Sequence, residues 1–356
     1  MQGREHHFVP QFYLRGFSSD GHSVTCFNLA RNKCIAHAGI KHQCSKRNFH
    51  SFLPGLEALL GELEGRASTV LGGIRRTQTI PPIGSQERLW LVTFVVFQKM
   101  RTTRAARMSD AMSEHLRELM PNVESDRVPA IAIPLSLANN MVPAAADLSI
   151  HLFRNDTSAE FVTSDAPVII HNQYCEGIDY RGVNGWNCRG LQVFFPISPR
   201  ELLLMFDPAI YKVGAAHKGS HVTNLLRAEE IDQFNAFQIL NAEHNVYFKN
   251  GDASFRAASQ CQRLLSVRPK GRWKFVETES MPKSDGGTGA ILHSFEPLLP
   301  IRLRVEAISI RKKARQAPLA QRGTAPRQAT GRLQKGAQRE LGDGYVRYPV
   351  KAITTK

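Results

Sequence analysis

Residues 191–206 read LQVFFPISPRELLLMF, two apolar runs on either side of a segment that contains two prolines. Runs of this length, rich in Val, Phe and Leu and bounded by turn residues, are typical of buried β-strands. We therefore expect one strand over 191–195 and another over 202–206. This stretch indicates the fold class because it shows that the second half of the chain builds a sheet.

Similar patterns extend outward from this stretch. The other strand patterns lie in residues 22–28, 33–37, 149–153, 160–163, 168–171 and 245–248. Apolar residues at helical spacing occupy residues 55–75, 85–119, 135–147 and 222–242. Strands grouped together between groups of helices predict an α+β fold, in which a helical N-terminal half packs on a mostly antiparallel sheet.

The expected organisation is one folded body followed by two less regular segments. The body spans 1–265 and divides into a helix-rich part, 1–147, and a strand-rich part, 148–265. A poorly defined linker is expected over 266–300, and a basic disordered tail over 301–356.

The tail accounts for most of the positive charge of the chain. Residues 301–356 hold fourteen Lys or Arg and three acidic residues, so eleven of the fifteen net positive charges belong there. Within the tail, 311–340 shows no apolar period and predicts disorder. A basic tail attracts polyanions through counterion release, which makes nucleic acid a candidate partner. A tail without any role is the alternative.

Composition excludes several other classes of protein. Hydrophobic residues make up 42 % and charged residues 22 %, which is typical of a globular protein rather than a disordered one. No apolar run reaches the roughly 18 to 20 residues of a membrane span. The first residues lack the apolar core of a secretory signal, and the six cysteines are scattered. These features predict a cytoplasmic protein without a membrane partner, and they leave the oligomeric state open.

Five features occur in a characteristic order along the first 200 residues. They are HHFVPQFYLRGF at 6–17, the pair Glu57 and Glu64, QKMRT at 98–102, FVTSDAPV at 161–168 and FPISP at 195–199. Together they resemble the bacterial family catalogued as domain of unknown function 4238, over residues 5–250. The resemblance implies a single fold over this region and brings no activity with it.

Polar residues of these motifs form a candidate site. We expect His6, His7, Glu64, Arg101 and Asp165 to be catalytic, with His7, Glu57, Glu64 and Asp165 as metal ligands and with Gln11 and Gln98 nearby. Glu57 and Glu64 are two helical turns apart and share a face. Imidazole and carboxylate groups bind hydrolytic divalent metals, for which Mg²⁺ or Mn²⁺ is the candidate, and Arg pairs with phosphate.

Each of these residues also has a structural interpretation. The tandem His pair can cap a helix or fill a core, and Glu57 and Glu64 can form a solvated helix edge. Arg101 can form a structural ion pair, and Asp165 can bond the backbone of its own turn.

Two functions from different classes remain open on the sequence alone. The first is a metal-dependent phosphodiester hydrolase, similar to a nuclease, that acts on nucleic acid or a nucleotide. The alternative is a non-enzymatic protein that binds nucleic acid or a partner in a defence or regulatory context. A small-molecule-binding protein whose polar cluster is a ligand pocket is a third option.

Overall fold

The computed structural model describes residues 5–119, 128–176, 184–214, 221–251, 253–269, 273–282, 288–296 and 298–316. The α-helices in these ranges are α1 (Gln11–Arg15), α2 (Leu56–Thr77), α3 (Gln86–Met100), α4 (Thr103–Leu119), α5 (Ala132–Ala146), α6 (Ala228–Asn241) and α7 (Ala253–Leu264). The first eight strands are β1 (Glu5–His7), β2 (Ser23–Asn28), β3 (Lys33–Gly39), β4 (Ser45–Arg47), β5 (Ser149–Asn155), β6 (Thr163–Ser164), β7 (Ile169–His171) and β8 (Gln192–Pro196). The others are β9 (Glu201–Phe206), β10 (Tyr211–Val213), β11 (Val222–Leu225), β12 (Asn245–Phe248), β13 (Lys274–Pro282), β14 (Thr288–Phe295) and β15 (Ile308–Ile310). Within these described residues, every helix is too short or too polar to cross a bilayer.

The main sheet has five strands in the order β11-β5-β9-β8-β7. All neighbours in it pair antiparallel except β11, which runs parallel to β5. A second sheet, β3-β2-β12-β6, is antiparallel throughout. The predicted α+β class with a mostly antiparallel sheet is therefore confirmed.

Helices cover both faces of the five-stranded sheet. Successive side chains of a strand point to opposite faces, so the hairpin of β8 and β9 serves two cores at once. Val193, Phe195, Leu203 and Met205 join the core that also contains buried side chains of α2, α3 and α5. Phe194, Leu202 and Leu204 join a second core, to which α6 contributes Phe234 and Phe237. Burial on both faces explains why 191–206 is almost continuously apolar.

Two of the predicted helices have different boundaries. The pattern over 85–119 forms two helices, because α3 ends at Met100 and the next residue, Arg101, leaves the helical conformation at φ −96° and ψ 10°. Thr102 then starts α4 by accepting the backbone N–H of Ala105 through its hydroxyl, at 3.2 Å. The pattern over 222–242 begins with a strand, because β11 pairs with β5 before α6 starts.

The linker expected over 266–300 contains the hairpin of β13 and β14. The tail expected from residue 301 is also partly folded, since 301–316 packs against the body. Its first residues alternate between buried apolar and exposed charged side chains, a strand-like pattern that the sequence analysis missed among the charges. The disorder expected further on, over 317–356, lies outside the described residues.

The packing of residues 301–316 in the second core can be tested by mutation. Leu303 is fully buried in it, whereas Leu226 is 74 % exposed. We expect Leu303→Ala to lower the free energy of unfolding by about 2–5 kcal/mol through lost contacts and a residual cavity. The control Leu226→Ala should change it by less than about 0.5 kcal/mol. Urea denaturation measures both, and equal effects would show that 301–316 does not pack as described.

Candidate functional site

A buried arginine connects three segments at the C-terminal end of α3. Arg101 is 1 % exposed, and its Nε and Nη2 atoms donate to Oε1 of Gln98 at 3.0 and 2.8 Å. Its Nη1 atom donates to Oε1 of Glu64 on α2 at 2.6 Å. Gln98 in turn donates from Nε2 to the carbonyl oxygen of Phe8 at 2.9 Å. The structure thus brings together Glu64, Gln98 and Arg101, and ties them to the opening motif.

A cluster of two histidines and a glutamate lies close to this arginine. The backbone N–H of His50 donates to Nδ1 of His6 at 2.8 Å, and the two rings stack with centroids 5.7 Å apart. Nδ1 of His50 lies 3.3 Å from Oε2 of Glu57. One ligand atom from each of the three residues lies within 4.8 Å of the other two. His50 is 1 % exposed, and Glu57 is exposed.

Local structure explains how these residues meet. Strand β1 pairs with β4, which places His6 opposite Lys46. The turn after β4, with Asn48 at a positive φ of 56°, brings the chain back so that His50 stacks on His6. Glu57 lies in the first turn of α2, where a carboxylate also interacts favourably with the helix dipole.

The surroundings of His50 keep its imidazole neutral. Its pKa is lowered from 6.5 to about 4, chiefly by burial and next by the positive charge of Arg101. The carboxylate of Glu57 raises the pKa of His50, but by less than these two causes lower it. With the proton on Nδ1 facing Glu57, Nε2 carries the lone pair, and that atom is buried without a hydrogen-bond partner among the described residues. His50 therefore offers an unused nitrogen for a metal ion or a proton.

The donor set fits a divalent metal, with one local conflict. Two imidazoles and a carboxylate are typical ligands of Mn²⁺, Fe²⁺ or Zn²⁺, whereas Mg²⁺ prefers oxygen atoms alone. A ligating nitrogen needs a free lone pair. His50 Nε2 has one, but Nδ1 of His6 already accepts the N–H of His50, which puts the His6 proton on Nε2. His6 must give up that hydrogen bond in order to ligate.

His7 points away from this cluster, because neighbouring side chains of a strand face opposite sides. Its Nε2 atom lies 3.1 Å from the carbonyl oxygen of Lys41 and 3.3 Å from Nε2 of Gln11. Gln11 also accepts a hydrogen bond from Arg15 at 3.2 Å. The structure thus groups His7 and Gln11 with each other rather than with Glu57 and Glu64.

Asp165 has a separate environment. Its Oδ1 atom accepts the backbone N–H of Glu243 at 2.7 Å, and its Oδ2 atom accepts those of His244 and Asn245 at 2.6 and 3.1 Å. The carboxylate is 1 % exposed and holds the turn between α6 and β12. Asp165 therefore hydrogen-bonds a distant turn instead of its own. Among the residues that the structure describes, the candidate metal cluster contains His6, His50 and Glu57 but not Asp165.

Sequence reasoning missed His50. The residue belongs to no recognised motif, and its proximity to His6 depends on the pairing of β1 with β4. Both strands have only three residues, which is too short for a periodic signal. A hint was available in the spacing of seven residues between His50 and Glu57, just ahead of a long helix.

One protein family matches most of the described fold. The family described as Protein of unknown function (DUF4238) matches residues 5–252, which is more than half of the 356 residues. The chain belongs to this family. The match runs from β1 to the residue before α7 and contains every residue of the candidate site. No curated protein and no solved structure shows significant similarity to the chain.

The lowered pKa of His50 predicts a loss of stability in acid. His50 takes up a proton near pH 6.5 in the unfolded chain but only near pH 4 in the folded chain. The contribution of neutral His50 to the free energy of unfolding is therefore complete above pH 6.5 and is lost as the pH falls to 4. We expect His50→Gln to reduce the drop in unfolding free energy over this window by up to ~3 kcal/mol. Urea denaturation from pH 4 to 7 measures it. The control is His22→Gln, which replaces an exposed histidine. A drop as large in His50→Gln as in the unmodified chain would contradict the interpretation.

A structural role of Asp165 predicts a stability effect as well. An amide offers one acceptor oxygen, so Asp165→Asn leaves at least one of the three backbone N–H groups facing an NH₂ group. We expect the free energy of unfolding to fall by about 1–3 kcal/mol. Asp110→Asn, at an exposed position, is the matched control for the urea experiment. A stable Asp165→Asn protein would argue against this role.

Proposed function

We propose that the protein is a metal-dependent phosphodiester hydrolase whose metal site is formed by His50, Glu57 and His6. The observation that carries the proposal is the convergence of these three residues beside Arg101, with Nε2 of His50 buried and unpartnered in the described part of the chain. When bound, a divalent metal polarises a phosphoryl oxygen and lowers the pKa of water.

His50 is the central ligand in this proposal. Its imidazole is neutral well below pH 7, so no proton competes with the metal for Nε2. Glu57 supports it in one of two ways. Its carboxylate either orients the His50 ring through Nδ1, as carboxylates commonly do for ligating histidines, or contributes an oxygen ligand.

Arg101 acts as a positioning residue. The sequence hypothesis gave it the role of holding a phosphate, but three of its N–H groups are engaged by Gln98 and Glu64 and the side chain is buried. Its contribution is its charge, which favours the neutral form of His50. Glu64 and Gln98 hold that charge in place.

The substrate class rests on charge. The chain carries a net charge of +15, which favours association with polyanions such as RNA and DNA. His7 and Asp165 are left out of this site. His7 points away from the cluster and its Nε2 atom contacts Lys41 and Gln11, and the carboxylate of Asp165 accepts backbone N–H groups.

The experiment combines metal binding with cleavage. Purified protein is titrated with Mn²⁺ and Zn²⁺ by calorimetry, and is incubated with RNA and DNA in Mn²⁺, Zn²⁺, Mg²⁺ or a chelator. We expect cleavage with Mn²⁺ or Zn²⁺ and its loss in chelator. His50→Gln should weaken metal binding and cleavage by about 100-fold, and Glu57→Gln by about 10- to 100-fold.

His6→Gln provides a graded comparison. His6 must break a hydrogen bond in order to ligate, so its replacement should cost less than that of His50. The exposed His22→Gln is the control and should bind metal as the unmodified chain does. Cleavage that persists in chelator, or metal binding unchanged in His50→Gln, would overturn the proposal. Binding of nucleic acid without any cleavage would support the non-enzymatic alternative instead.

A further inference from the structure

We propose that a cavity between α3, α4 and α5 binds a neutral planar heterocycle of purine size that carries both a hydrogen-bond acceptor and a hydrogen-bond donor. Nucleobases carry both. This binding is independent of the proposed hydrolase, because it concerns a different cavity and a free base.

The size of the cavity fits a bicyclic ring. Its volume is about 290 Å³. An engineered protein cavity of about 150 Å³ takes up benzene, so roughly twice that volume accommodates two fused rings. It also lies at the lower end of the range that small-molecule pockets usually occupy.

The walls are mostly apolar and partly aromatic. The apolar lining includes Met100, Met108, Met112, Leu137, Val168 and Ile170. Two of the three tryptophans of the chain, Trp186 and Trp273, also line the cavity. Thioether groups and indole rings make favourable contacts with flat aromatic ligands. Leu137 is 39 % exposed, so the lining reaches the surface of the described structure.

Two uncharged polar atoms of the lining can pair with such a ligand. Nε1 of Trp273 is a donor and Oδ1 of Asn184 is an acceptor, and both are buried without a hydrogen-bond partner in the described residues. The amide nitrogen of Asn184 donates to the carbonyl oxygen of Glu296 at 2.8 Å, which fixes the orientation of the amide. Buried polar groups without partners are costly, so a ligand that satisfies both gains affinity and selectivity.

The charged groups of the cavity indicate a neutral ligand. Arg104 is 3 % exposed and forms ion pairs with Glu296 and, at 3.8 Å, with Glu243. Lys99 lies 3.9 Å from Glu296. These cations already face carboxylates. An anionic ligand would therefore have to displace one of the carboxylates from its cation. A neutral base avoids that cost: its acceptor takes the N–H of Trp273, and its N–H donates to Asn184.

The ligand test compares bases that differ in their hydrogen-bond donors. Calorimetry and tryptophan fluorescence of the full chain are recorded with hypoxanthine, with adenine and with 1,9-dimethylhypoxanthine, in which methyl groups replace both N–H hydrogens of hypoxanthine. We expect hypoxanthine or adenine to bind and to quench fluorescence, and the methylated base to bind at least about 10-fold more weakly. Equal binding of the methylated base, or no binding of any base, would overturn the proposal.

A matched pair of variants locates the site. Trp273→Phe keeps an aromatic ring but removes Nε1–H, and should weaken binding about 3- to 10-fold. Trp90→Phe is the same substitution outside the cavity, where the ring lies against Arg66, and should leave affinity unchanged. Equal affinities of the two variants would place the ligand elsewhere. If Trp273→Phe fails to fold, the comparison of bases on the unmodified chain still decides the proposal.

Discussion

The structure around the candidate site depends on one buried charge. Placing the guanidinium of Arg101 in the interior is favourable only if its donors are satisfied, and removal of one partner from a buried ion pair typically costs about 3–5 kcal/mol. Glu64 and Gln98 supply the partners, and Gln98 also holds the backbone of Phe8. This network fixes the position of α2 relative to α3 and to the opening strand. Burial lowers the pKa of the nearby His50 most, and the charge of Arg101 lowers it further, so both favour the neutral imidazole.

Much of the fold could be predicted from the sequence because the strongest periodic signals are also the most buried elements. The two runs in 191–206 became β8 and β9, and the leucine pattern over 55–75 became α2. The prediction failed where a local feature interrupts a period. Helix α3 ends just before Arg101, whose side chain turns back to Gln98, although the apolar period continues into α4. Strand β11 reads as the start of a helix, because four residues do not distinguish the two periods.

The candidate site was predictable only in part, for a related reason. Spacing places Glu64 on the same helix face as Glu57, and Gln98 on the same face as Arg101, and both pairs lie near the opening motif in the structure. Spacing carries no information on pairings between short strands, so His50 could not be found. It also could not show that Asp165 is occupied by a turn almost eighty residues further along the chain.

The second core of this chain extends beyond the region that the family match covers. The family match ends at residue 252, yet Leu303, Val305 and Ile308 pack in the same core as Phe153 and Phe234. The region that the family match covers in this chain is therefore smaller than the region that builds the second core. A fragment cut at the family boundary would present part of its interior to water and would be prone to aggregate.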